Sequence, residues 1–143
     1  GRLSQGLVAR SQRYVAVDVS RTMLQAALPL VRASGADALL LEARVPRLPF
    51  QDRAFDVVVA CRFLHHLHEE TQLAAAIAEL TRVLRRRLGL KTDEGPRGRV
   101  AVQRAQLAHL FEQAGATVQG WRSTLRFVSQ QTFVAARVRG PQP

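Results

Sequence analysis

The sequence predicts an α/β fold: a mostly parallel sheet covered by helices on both faces, with an antiparallel C-terminal edge strand. Three observations predict it. Short β-branched runs alternate with longer amphipathic ones along the chain. One run, residues 55–60, is apolar on both faces, as a strand in a parallel sheet covered by helices must be. Another ends in an acid, Asp18, directly before a helix signal. In open α/β sheets ligands gather at such carboxyl ends of strands.

The elements follow in order. Residues 14–18 form a short buried strand. Ser20 then offers an N-cap, and Met23, Leu24, Ala27, Leu28 and Val31 recur at helical spacing. Pro29 is expected to kink or shorten that helix. Residues 38–41 read as a second strand. Residues 45–53 hold two prolines and read as a loop, and residues 55–60 as the third strand. Residues 69–84 form an amphipathic helix with Leu73, Ile77, Leu80 and Leu84 on one stripe. Residues 87–99, rich in Gly, Arg and charge, read as a loop. Residues 106–114 form a further helix, with Leu107, Leu110, Phe111 and Ala114 inward and Gly115 as its stop. Residues 117–121 and 132–139 read as two more strands, the last an antiparallel edge.

Length and composition bound the function classes. A chain of 143 residues with 47% hydrophobic content makes one compact domain with a real core. No apolar run reaches the ~20 residues of a membrane span, and residues 1–10 lack a secretory signal pattern. The single Cys61 excludes an internal disulfide framework and a cysteine-based zinc site, and fits a reducing cytoplasm. The formal charge is +10, almost all of it arginine, since Lys91 is the only lysine. Such a field attracts phosphate, nucleic acid or acidic lipid. The arginines are spread out, however. The one dense cluster, Arg82, Arg85, Arg86 and Arg87, has no interleaved aromatics on which bases would stack. The plainer reading is a solvated surface.

The strand-tip acid carries the chemistry. A carboxylate there can accept both hydroxyls of an adenosine ribose; as a lone feature it is equally a turn or capping aspartate. Asp18 does not stand alone. The run Val15-Ala-Val-Asp-Val-Ser-Arg-Thr-Met-Leu24 resembles the second motif of class I S-adenosylmethionine-dependent methyltransferases. The run from Leu48-Pro-Phe to His65-His66-Leu67 resembles their next stretch, and Glu79-Leu-Thr-Arg-Val-Leu-Arg85 the helix after it. Leu107 to Gly115 is similar to a segment near their C-terminus. Order and spacing agree, and the nearest resemblance is to the ubiquinone-biosynthesis-like superfamily.

That resemblance implies a three-layer Rossmann-like sheet, S-adenosylmethionine as cofactor, and in-line methyl transfer to a small-molecule acceptor. It implies roles residue by residue. Gly1 matches the last glycine of the cofactor loop, where the backbone must come close to the ligand. Asp18 matches the ribose-binding acid, and Val19 and Met23 match positions that pack on adenine. The Val45 N–H can reach adenine. Cys61 and Arg62 match strand-end positions beside the methionine part. The resemblance also exposes departures. Arg44 stands where the family often has an acid that holds the adenine amino group. The chain begins inside the glycine loop, so it reads as a single domain over residues 1–143 that is incomplete at its N-terminus. The central first strand and the fifth strand are expected to be absent, the latter through a missing segment near residues 85–88.

His65, His66 and His68 cluster after the third strand. Either His65 or His66 acts as general base on the acceptor, or His66 packs inward while His65 and His68 cap the next helix. No carboxylate pattern of zinc type accompanies them. Glu69 and Glu70 read as first-turn acids that complement the helix dipole. Cys61, Trp121 and Phe127 read as packing residues before anything else. Three further functions stay open: a methyltransferase acting on tRNA or another nucleic acid, favoured by the charge; a degenerate domain that binds without catalysis, favoured by the broken loop and Arg44; and a dinucleotide-binding oxidoreductase, which suits Asp18 but leaves the run from Leu48 to Leu67 unexplained.

Overall fold

The computed structural model describes residues 6–61, 63–93, 104–123 and 131–138. The chain divides into two compact units, Gly1–Pro49 and Phe50–Pro143.

The first unit is one strand–helix–strand crossover. Strand β1 (Arg13–Asp18) pairs in parallel with β2 (Asp37–Glu42), from Arg13 opposite Asp37 to Asp18 opposite Glu42. Helix α1 (Arg21–Ala33) makes the connection that a parallel pair requires. It buries Leu24, Ala27 and Val31, a stripe at helical spacing. The helix runs through Pro29 rather than ending there. Pro29 and Gln25 are both exposed, so water can satisfy the carbonyl that proline leaves without a donor. Gly35, at φ +66°, turns the chain out of the helix and back toward β2, a conformation that costs glycine little.

The second unit is a four-stranded sheet in the order β3–β4–β6–β5. Strand β3 (Phe55–Cys61) leads through a 3-10 turn (Leu64–His66) into α2 (Glu70–Val83). Strand β4 (Leu84–Asp93) follows with no intervening loop, then α3 (Arg104–Gln113), β5 (Ala116–Ser123) and β6 (Gln131–Val138). Strands β3 and β4 run parallel, and β6 runs against both β4 and β5.

Three readings need correction. A fifth strand is not missing: β4 spans residues that the sequence assigns partly to a loop, and it is paired along both edges. Its arginines hide the strand signal, yet Leu88 lies opposite Val58 and Leu90 opposite Ala60, an alternation that the flanking charges mask. Leu84 belongs to β4 rather than to the helix before it. The last strand is antiparallel but internal, and β5 forms the edge. Helices α2 and α3 touch each other, and pack on β3–β4 and on β5 respectively, so they cover one face of this sheet. On the other face Val57 and Val59 are 57% and 43% exposed.

The core of this unit is Leu73, Ala76, Ile77, Leu80 and Val83 of α2 with Leu107, Leu110 and Phe111 of α3. Gly115, at φ +79°, ends α3 as its position in sequence predicts. Among the described residues no helix is long and apolar enough to cross a membrane.

Arg82 fastens the entry of β3 to the end of α2. Its Nε and one terminal nitrogen each donate to the Glu79 carboxylate at 2.8 Å. The other terminal nitrogen donates to Asp52 at 2.7 Å and to the Phe50 carbonyl at 2.9 Å. The Arg53 N–H returns a bond to the Arg82 carbonyl at 2.8 Å. Glu79, and then Asp52, hold the guanidinium above its ordinary pKa. Phe50 stacks edge-on against Phe55 at 4.8 Å.

Two substitutions test this packing by denaturant unfolding. Ile77→Ala, at a fully buried position, should cost about 2–5 kcal/mol, whereas Val57→Ala should cost far less. Thr81 is buried and its Oγ1 has no hydrogen-bond partner among the described residues. Thr81→Val should therefore raise stability, by about 1 kcal/mol.

Candidate functional site

The candidate site is built on the tip of β1. Asp18 is the last residue of the strand and is half-buried. The Ser20 N–H donates to its Oδ1 at 2.9 Å. Ser20 is also the N-cap of α1, its hydroxyl accepting from the Met23 N–H at 3.3 Å. The Ala43 N–H donates to the Asp18 carbonyl at 3.2 Å. The Ser20 N–H thus orients the carboxylate while the Ala43 N–H fixes the backbone that carries it, and among the described residues Oδ2 has no partner. Val19 and Met23 follow it at 54% and 52% exposure. Large apolar side chains left half in water lose roughly 25 cal/mol per Å² of stabilisation, which a bound apolar surface recovers.

Glu42, opposite Asp18, forms an ion pair with Arg21 at 3.2 Å. Beyond it the chain turns at residues 44–47, closed by a bond from the Arg47 N–H to the Arg44 carbonyl at 2.9 Å. The Val45–Pro46 peptide is cis. Val45 is half-buried, and among the described residues its N–H carries no bond. Sequence reasoning singled out Arg44 but missed that Arg47 stands opposite it as an antiparallel bridge partner. The Val45-Pro46 step was the available signal for a turn there.

The second unit carries the other candidates. Strand β3 ends at Cys61, and His65 lies in the 3-10 turn that follows. Leu64, 1% exposed, anchors that turn. His66 is exposed, so it does not pack inward; Leu64 takes the inward place. The His66 N–H donates to the Phe63 carbonyl at 3.1 Å. The N-cap position of α2 belongs to Glu69, with no side-chain cap bond, and His68 is exposed. Glu70 sits in the first turn as expected. Trp121 pairs across from Val134. Gly1, Arg62 and Phe127 lie outside the described residues. Among the described residues no group of His, Cys, Asp and Glu is placed to hold a metal ion.

Two other features are not the site. Within the arginine cluster at residues 82–87, Arg82 is held by Glu79 and Asp52, and Arg85, Arg86 and Arg87 lie in β4. A shallow cavity of about 310 Å³ between α3 and β5 is lined by Ala108, Glu112, Thr117, Val118, Gln119 and Gly120. It lies at the sheet edge opposite β3, and Glu112 is its one ionisable lining residue.

A family model described as "methyltransferase domain" matches residues 1–87. The chain belongs to that family. No curated protein matches it in sequence. Among solved structures it is similar to magnesium protoporphyrin IX methyltransferase from Synechocystis with bound S-adenosylmethionine. The TM-score is 0.82 at 20% identity, covering 97% of this chain and 65% of that one. It is similar to an S-adenosylmethionine-dependent methyltransferase from Clostridium acetobutylicum, with TM-score 0.82 at 10% identity, covering 98% and 80%. It is also similar to 1,6-didemethyltoxoflavin N1-methyltransferase from Burkholderia thailandensis, with TM-score 0.71 at 21% identity, covering 88% and 61%. These likenesses show the Rossmann-like methyltransferase fold. The chain spans 65% of the length of the Synechocystis enzyme.

In this methyltransferase domain Ser20 ties the helix start to the carboxylate. Ser20→Ala should cost about 1 kcal/mol of stability through the lost cap, read by denaturant unfolding. Ser20→Asp should recover most of it.

Proposed function

We propose that this domain binds S-adenosylmethionine at the tip of β1 and transfers its methyl group to a small-molecule acceptor. The observation that carries the reading is the Asp18 carboxylate, with Oδ1 fixed by the Ser20 N–H, Oδ2 open, and Val19 and Met23 half exposed beside it. An acid so placed suits a ribose diol, and flanking apolar side chains suit a purine face. Membership of the methyltransferase family, and neighbours that hold the cofactor or its product, support the same reading.

When bound, the cofactor supplies a methyl group already activated on a sulfonium. The protein then has to position, exclude water and manage one proton. In this reading Asp18 accepts the ribose hydroxyls, Val19 and Met23 pack on adenine, and the Val45 N–H donates to it. Gly1 lets the backbone approach the cofactor, and Cys61 and Arg62 border its methionine part. His66, or its neighbour His65, takes the proton of a phenol, enol or amine acceptor; a carboxylate acceptor needs no base.

Calorimetry of the full chain with S-adenosylhomocysteine tests the proposal. The unaltered protein should bind saturably, and Asp18→Ala should weaken binding at least about tenfold, the loss of one to two charge-assisted hydrogen bonds. Undiminished affinity would sink the assignment. For the base, His66→Asn should lower the methyl-transfer rate about 10²–10⁴-fold while leaving the product's affinity unchanged.

A further inference from the structure

Two arginines stand opposite one another across a tight turn, and among the described residues no acid meets either. Arg44 and Arg47 pair as an antiparallel bridge, and a 2.9 Å backbone hydrogen bond closes the turn. Like charges directly opposite across a bridge repel. Both residues are exposed, and among the described residues neither side chain is engaged in a hydrogen bond or ion pair.

The reason is a shortage of acids. Residues 1–49 contain seven arginines and three acids, Asp18, Asp37 and Glu42. Asp37 is taken by Arg13 at 3.0 Å and Glu42 by Arg21 at 3.2 Å. Asp18 is turned toward the Ser20 N–H. Among the described residues of their unit, therefore, no carboxylate contacts either Arg44 or Arg47 to offset their repulsion. Guanidinium groups are donors only, and their planar fork matches phosphate oxygens two at a time.

The place of the turn matters as much as its charge. Arg44 comes one residue after Ala43, whose N–H binds the Asp18 carbonyl. The turn thus stands beside Asp18, at the carboxyl ends of two parallel strands, where α/β sheets take their ligands.

We propose that Arg44 and Arg47 form a phosphate-binding site next to the adenosine position. The turn fixes the two backbones, and an oxyanion between the guanidiniums replaces their repulsion with two charge-assisted contacts. The phosphate belongs either to a small phosphorylated molecule or to an RNA backbone; both present the same oxyanion. The site stands whether or not the domain transfers methyl groups, whereas assigning the phosphate to the methyl acceptor rests on that reading.

The test titrates the full chain with inorganic pyrophosphate by calorimetry at low salt. The unaltered protein should bind saturably. Arg44→Gln and Arg47→Gln should each weaken binding about tenfold, the loss of one charge-assisted contact. The double variant should abolish saturation, with its far-UV circular dichroism unchanged. Arg32→Gln removes an equal charge from the exposed end of α1 and should change affinity less than twofold. No saturable binding, or an equal loss in Arg32→Gln, overturns the proposal. Asp18→Ala should lose S-adenosylhomocysteine but keep pyrophosphate, so the two assignments fail separately. A ribonucleoside monophosphate and a short RNA then identify the source. Only RNA gives a steep fall of log affinity with log salt, and whichever binds must weaken in the double variant.

Discussion

Two parallel strands cannot be joined by a tight turn, and this constraint organises the site. Between Asp18 and Asp37 the chain must travel back the full length of the strand, which α1 does by laying Leu24, Ala27 and Val31 against the β1–β2 pair. The consequence is directional. Both strands then end on the same side, so Asp18, Glu42 and the turn at residues 44–47 arise together. The bond from the Ala43 N–H to the Asp18 carbonyl extends the pairing one step past the last register pair. The site is the place where pairing runs out and polar groups must find other partners.

Carboxylates are the scarce resource of this chain, and their distribution decides what each arginine does. Glu79 and Asp52 go to Arg82, whose backbone and side chain join the loop before β3 to the end of α2. That pairing is worth more than an exposed one, because Arg82 is only one-third exposed and meets Glu79 bidentately. Arg13 and Asp37 are both largely exposed, and such a pair contributes little to stability. Its effect is to remove an acid from the set available elsewhere.

How much of this was legible in the sequence depended on whether the signal was local. Ser20 as N-cap, Gly115 as helix stop and the Leu73–Ile77–Leu80 stripe are consequences of nearest-neighbour geometry, and each stands where periodicity and capping put it. Asp18 was legible as a strand-tip acid for the same reason. Strand β4 was not. Its residues 84–93 alternate apolar and charged imperfectly, and what makes them a strand is pairing on both sides, including Arg87 opposite Arg137 fifty residues away. Pairing partners at that separation leave no local trace. The internal position of β6 was hidden for the same reason: the order β3–β4–β6–β5 is a fact about the sheet, not about any segment of it. Of the two readings of His66, inward packing fails because Leu64, two residues earlier, takes the inward position of the turn.

The two halves of the β1–β2 tip differ in how much they must give up on binding. Asp18 has a short side chain already held by the Ser20 N–H, on a strand end fixed by Ala43 and a helix start fixed by the Ser20 hydroxyl. Ordering it further costs little, so most of its interaction energy is available as affinity. Arg44 and Arg47 have long, exposed side chains, and immobilising each costs about 0.5–1.5 kcal/mol. Their fixed backbones reduce the search without removing it. On the proposed reading, a carboxylate held rigid beside long, exposed guanidiniums divides the work. The acid would set where a ligand docks, and the arginines would discriminate by charge among the ligands that dock there, contributing a contact only when an oxyanion is present to gather them.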